Sequence, residues 1–200
     1  MKMKPDHQHL FRIAAEQLGY FTASQARECG FSWDLLSHHT STGRFHRALR
    51  GIYRLRDFPW SEHEEIMIAW LAVGKDDAVV SHESALEILD LSDIIPSRIH
   101  LTLPRSMRYR TGPPGATINT TKRIPEPAET QVREGIRITS ATRTLVDCAE
   151  AGVALDQLEI AIAQALIRGL TTIDQIQTAA KARSQRVQAI VERSLPLVGA

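Results

Sequence analysis

Cysteine is nearly absent from this 200-residue chain: Cys29 and Cys148 are its two, far apart in sequence. Each follows helix-like apolar spacing, which leads us to expect buried free thiols in a reducing compartment and no disulfide. Long apolar runs are missing too. The longest, Ile66–Val73, is far too short to span a bilayer, and the first six residues lack the apolar run of a signal peptide. The expectation is a cytoplasmic protein with no membrane partner. A phosphate-binding glycine loop is also lacking: Gly112–Gly115 is interrupted by Pro113 and Pro114 and has no Lys-Ser/Thr ending. The acids are dispersed on helix-like segments (Glu64, Glu65, Glu83, Glu87, Glu150, Glu159) and do not gather beside a lysine as nuclease chemistry requires. No cysteine lies near enough to the eight histidines to complete a zinc-type set. No catalytic residue, metal or cofactor is therefore expected.

What the chain does have is an uneven charge distribution. The net charge is only +1. Residues 1–60, however, hold nine Lys or Arg against five acids, a balance of +4, and the remainder holds fifteen against eighteen, a balance of −3. Five of the eight histidines also fall in the first part. A basic module joined to a slightly acidic one fits a nucleic-acid reader that carries a second, protein-directed domain.

The basic part reads as three short helices and a two-stranded hairpin: a helix near His7–Leu18, a second over Ala23–Glu28, a link at Gly30, a third from Trp33 to about Thr42, then Arg44–Arg56. This is the order of a winged helix-turn-helix, which sets its third helix in the DNA major groove and its wing on the phosphates. Thr22 and Gln25 form a capping box for the second helix, and Ser32 caps the third with Asp34 in its first turn. Leu10, Ile13, Ala14 and Leu18 share helical spacing, as do Trp33, Leu36 and Thr40, which together would close a small core. In the hairpin Phe45, Tyr53 and Leu55 form the packing side, and the turn falls at Arg50-Gly51.

Pro59 marks the boundary, giving a DNA-binding domain over 1–60 and an α+β effector domain over 61–200. Ser61 and Glu64 are expected to form a capping box for a helix running to about Gly74, and Ser81 to start another through Leu89. Ile99, Leu101 and Leu103 alternate with polar residues, a half-buried strand. Further short strands are expected at Ala116–Thr120 and at Arg133–Thr139, the latter turning at Gly135. Five of nine prolines lie in the region between, 104–127, which should be irregular. From Ser140 the chain is helical, with a stripe of Leu155, Leu158, Ile162, Ala165 and Leu166 ending at Gly169, and Thr172 with Gln175 opening the next helix. The fold class is thus α+β: an N-terminal winged helix-turn-helix, then a second α+β domain with a small sheet and C-terminal helices.

Several blocks carry a family resemblance: Gly43-Arg44-Phe45 through Arg50-Gly51-Ile52-Tyr53-Arg54-Leu55; Ser81-His82-Glu83-Ser84-Ala85-Leu86; Ile95-Pro96-Ser97-Arg98-Ile99-His100-Leu101-Thr102-Leu103-Pro104; and Ile138-Thr139-Ser140-Ala141-Thr142-Arg143-Thr144-Leu145-Val146-Asp147. In this order they resemble the AbiEi-like abortive-infection antitoxins, over about residues 8–180. The resemblance implies an N-terminal winged helix that binds the promoter of its own operon. It further implies a C-terminal domain that antagonises a nucleotidyltransferase-like toxin, as in a type IV toxin-antitoxin system. Where relatives carry Arg or Lys on the exposed face of the third helix, this chain has His38 and His39.

The DNA-binding candidates are Ser32, Ser37, His38, Ser41 and Thr42 on or at the third helix, and Arg44, Arg47, Arg50 and Arg54 in the wing. Ser, Thr and His hydrogen-bond base edges or phosphates; the arginines neutralise phosphates. Arg105, Arg108, Arg110, Lys122 and Arg123 make a second basic cluster in the proline-rich loops. Arg143 and Asp147 read as a local i,i+4 ion pair. Two other readings stay open: a protein-interaction scaffold that binds no DNA, and a metal-dependent nuclease.

Overall fold

The computed structural model describes residues 4–196. The chain runs through α1 (His7–Ala15), β1 (Tyr20–Thr22), α2 (Ala23–Glu28), α3 (Trp33–Ser41), β2 (Phe45–Leu49) and β3 (Ile52–Leu55), then α4 (Glu64–Val73). Next come β4 (Val79–Val80), α5 (His82–Ile88), β5 (Ile99–Pro104), β6 (Ala116–Thr121), β7 (Thr130–Arg133) and β8 (Ile136–Thr139). Four helices close it: α6 (Ala141–Ala151), α7 (Leu155–Ile167), α8 (Ile173–Lys181) and α9 (Gln185–Ser194). The class is α+β.

The N-terminal unit has the helix order and wing that the sequence predicts, with one addition. Helix α1 stops at Ala15, short of Leu18, because Leu18 and Gly19 both turn left-handed. The freed residues Tyr20–Thr22 form β1, which pairs antiparallel with β3 in a three-stranded sheet of order β1-β3-β2. The Thr22–Gln25 capping box is present, and Ser32 Oγ accepts from the Leu35 amide at 3.2 Å. Leu10, Ala14, Phe21, Phe31, Leu36, Phe45 and Tyr53 fill the small core. Trp33, expected there, is 58% exposed instead. Phe31 and Leu36 take that role, at the positions of a hydrophobic staple either side of the Ser32 cap.

The second sheet has the order β6-β5-β4-β8-β7, with β5/β6 and β4/β8 parallel and the other neighbours antiparallel. Its centre is the two-residue β4, flanked by the buried Leu101 and Ile138. Helices α4 to α9 supply most of the remaining core, and both cysteines are buried and free. Thr172 and Gln175 form the capping box expected for α8. The Ser61–Glu64 box is only half formed: the Ser61 amide donates to the Glu64 carboxylate at 3.4 Å, but the Ser61 hydroxyl caps nothing. Helix α4 starts without a side-chain cap, and the Glu64 carboxylate is taken by Arg54 at 2.7 Å and by the Tyr20 hydroxyl at 2.9 Å. Ser81 precedes α5 but its hydroxyl caps nothing; it bonds Thr102 Oγ1 and His82 Nδ1, both at 2.8 Å.

The two units are joined by more than the Asp57–Trp60 linker. Tyr20 and Ile52 belong to the same apolar cluster as Ile66, Met67 and Trp70 of α4. Glu134, at the β7–β8 turn, accepts from His63 at 3.0 Å and from Ser61 at 3.4 Å. In the same turn Gly135 has φ +77, and a Cβ there would collide with the Glu16 carbonyl oxygen. Only glycine lets the two backbones approach this closely.

Candidate nucleic-acid interface

Helix α3 is amphipathic in a simple way. Leu36 and His39 point inward, while Ser32, Trp33, Asp34, Ser37, His38, Ser41 and Thr42 are exposed. Ser37 has no internal side-chain partner among the described residues. The Ser41 and Thr42 hydroxyls both donate to the His38 carbonyl at 2.9 Å, closing the helix end. They can still accept from a ligand through their remaining lone pairs. Beyond α3 the wing presents Arg44 just before β2, His46 and Arg47 on β2 and Arg50 at the turn, all exposed. Arg44, Arg47 and Arg50 lie outside every ion pair formed among the described residues. A β-bulge between Arg47 and Leu49 shifts the register just before the turn. The exposed face of α3 and the adjoining hairpin therefore carry hydroxyls, two imidazoles and three guanidinium groups outside any ion pair.

One of the sequence candidates, Arg54, lies elsewhere, and so does His39, the neighbour of His38. Arg54 is committed to the fold: its guanidinium bonds Glu64, the Phe58 carbonyl at 2.9 Å and the Pro59 carbonyl at 3.1 Å, and lies over the Tyr20 ring. Strand alternation places Arg54 opposite the packing side of Tyr53 and Leu55, which reads as solvent. That second face is covered by α4, so the side chain is enclosed. His39, paired with His38 in the sequence reading, is 5% exposed. It sits against His7, Phe31 and Phe45, and neither ring nitrogen has a hydrogen-bond partner. Burial pushes its pKa down, helped by the nearby His7, Arg44 and His38. Only His38 of the pair faces solvent, where it lines a groove with Pro5, Arg27 and Leu35 of about 810 Å³.

The sequence reading missed one feature of this surface. Trp33, first residue of α3, carries the Arg27 guanidinium 5.7 Å from its ring centre. The signal was present in Phe31: an aromatic just ahead of the Ser32 cap already supplies the core residue, which releases Trp33 to the surface.

The basic loop cluster is divided by the fold. Arg110 pairs with Asp77 at 3.0 Å and donates to the Val73 carbonyl at 2.8 Å. Arg123 pairs with Glu126 and Glu129. Arg105, Arg108 and Lys122 are exposed. The Arg143–Asp147 pair exists, with Nε 2.8 Å from both carboxylate oxygens, but it is part of a buried network that also holds Arg183 and Glu129.

No family model and no curated protein sequence matches the chain. A solved structure does: the crystal structure of the RV2827C protein from Mycobacterium tuberculosis, with a TM-score of 0.59 at 14% sequence identity. The match covers 94% of this chain and 76% of that one. At this identity the likeness concerns the fold.

Proposed function

We propose that this protein is a DNA-binding transcriptional regulator that acts in the cytoplasm on double-stranded DNA. The observation that carries the reading is the surface formed by the exposed face of α3 and the unpaired Arg44, Arg47 and Arg50 of the wing. In this reading the three arginines hold phosphates. Ser32, Ser37, His38, Ser41 and Thr42 reach toward the groove, with Trp33 and Arg27 at its entrance. Arg54 supports the wing from behind.

The resemblance to AbiEi-like antitoxins supports a narrower version: an autorepressor that binds its own promoter and counters a nucleotidyltransferase-like toxin through residues 61–200. The DNA reading is tested by a gel shift on the DNA upstream of the gene, which a pure interaction scaffold would leave unmoved. The narrower version is tested by co-expression: the full chain should restore growth to cells expressing a nucleotidyltransferase-like toxin encoded beside it, and loss of rescue would confine the protein to regulation.

A further inference from the structure

A polar recess lies far in sequence from the wing, between the Asn119 end of β6, the start of α5 and the outer turn of α6. It has two lobes of about 510 and 480 Å³ that share Thr121, Lys122, Arg143 and Arg183. Each lobe is within the usual size of a small-ligand site.

Its hydrogen-bonding groups are unevenly used. The carboxylates are all engaged: Asp147 accepts from Arg143 and Arg183, Glu150 from Arg183, and Glu129 from Arg123 and Arg143. They offer little to a metal ion. The donors are in surplus. Lys122 has no acidic partner among the described residues.

His82 opens into the first lobe. Its backbone is left-handed, φ 54, an uncommon conformation for a residue with a Cβ. The Asn119 amide contacts Nδ1 of both His82 and His100 at 3.4 Å. Nδ1 of His82 also bonds the Ser81 hydroxyl at 2.8 Å, so Nε2 is the ring nitrogen left for a ligand. The His100 Nε2 faces Glu83 at 3.8 Å. The His82 Nε2 has no partner among the described residues. Burial holds the His82 pKa down at about 4, against the pull of Asp147, so the ring is neutral at pH 7. Ala179 and Ala182 give the second lobe a small apolar wall, with the buried Val146 behind them.

We propose that this recess binds a mononucleotide, with the phosphate received by Lys122 and the free Nε2 side of His82 beside the Arg183 guanidinium, and the base laid against Ala179 and Ala182. A phosphate supplies several acceptor oxygens where the lining offers surplus donors and unbalanced positive charge, and the adjoining lobe has room for the nucleoside. The site goes beyond the proposed DNA-binding function and does not depend on it.

Calorimetric titration of the full chain, without DNA, tests this with AMP and GMP as probes, adenosine and guanosine as phosphate-free controls, and inorganic phosphate alone. At least one nucleotide should bind saturably with one site per chain, more tightly than its nucleoside and than inorganic phosphate. Lys122→Ala, at an exposed position, should leave the melting temperature unchanged and weaken that nucleotide about tenfold, as expected for removing one charge-assisted hydrogen bond. The His82 ring resonances should shift on titration. No saturable binding would overturn the proposal, as would a nucleoside binding as well as its nucleotide, or an unaffected Lys122→Ala variant. Phosphate binding with no gain from the nucleoside would overturn the mononucleotide assignment. Displacement of the nucleotide by duplex DNA would show that the recess serves a nucleic-acid backbone instead.

Discussion

Arginine at positions 47, 50 and 54 looks equivalent in sequence and is not in structure. The Arg54 and Glu64 side chains are 15% and 17% exposed and hydrogen-bonded to each other, so removing one leaves the other enclosed without its partner. Arg54→Ala should therefore cost about 2–3 kcal/mol of stability, read as a lower urea midpoint. Arg47→Ala and Arg50→Ala should leave that midpoint within about 0.5 kcal/mol of the parent. They should weaken binding to related and unrelated DNA alike, because phosphate contacts carry no sequence information.

His39 yields a second prediction at this scale. Its pKa in the folded chain is depressed by burial, so the folded state resists a proton that the unfolded chain accepts near pH 6.5. The contribution is intact above about pH 6.5 and is lost as pH falls below it. His7, His38 and Arg44 face the same ring and deepen the effect through their positive charge. Urea midpoints from pH 7.5 to 5 should fall less in His39→Phe than in the parent. Equal slopes would show that His39 is not the group responsible.

Among the elements, those with a local signal were legible. The capping boxes at Thr22–Gln25 and Thr172–Gln175 begin helices where the sequence places them, and the alternation through Ile99–Leu103 is β5. β1 and β4, of three and two residues, are too short to show any period, and their pairing partners lie more than twenty residues away. The same long-range blindness explains Glu64 and Arg54: each reads as a local cap or a surface charge until α4 is placed against the wing. For the candidate interface, the exposed face of α3 was legible from its spacing, whereas Trp33 was read as core because Phe31, outside the helix, was not counted.

The β7–β8 turn gives a prediction about elements. At Gly135 an added Cβ meets the Glu16 backbone, while at Gly51 it meets nothing within 4 Å, although φ is positive at both. Gly51→Ala should cost about 1 kcal/mol, the conformational penalty alone. Gly135→Ala must also separate two backbones and should cost several-fold more by urea denaturation. Similar losses at both positions would mean that the hairpin and the end of α1 part easily.

For the whole molecule, the charge is divided between a basic N-terminal part, residues 1–60, and a slightly acidic remainder. The central claim is that the wing and the exposed face of α3 bind duplex DNA, largely by neutralising phosphates. The direct measurement is the affinity of the full chain for the duplex upstream of its gene, by fluorescence anisotropy across a series of salt concentrations, for the parent and for Arg47→Ala, Arg50→Ala. The account predicts that log affinity falls linearly with log salt in the parent, and that the slope drops by about two in the double variant, one for each phosphate no longer neutralised. A flat salt dependence, or identical slopes in the two proteins, would contradict it.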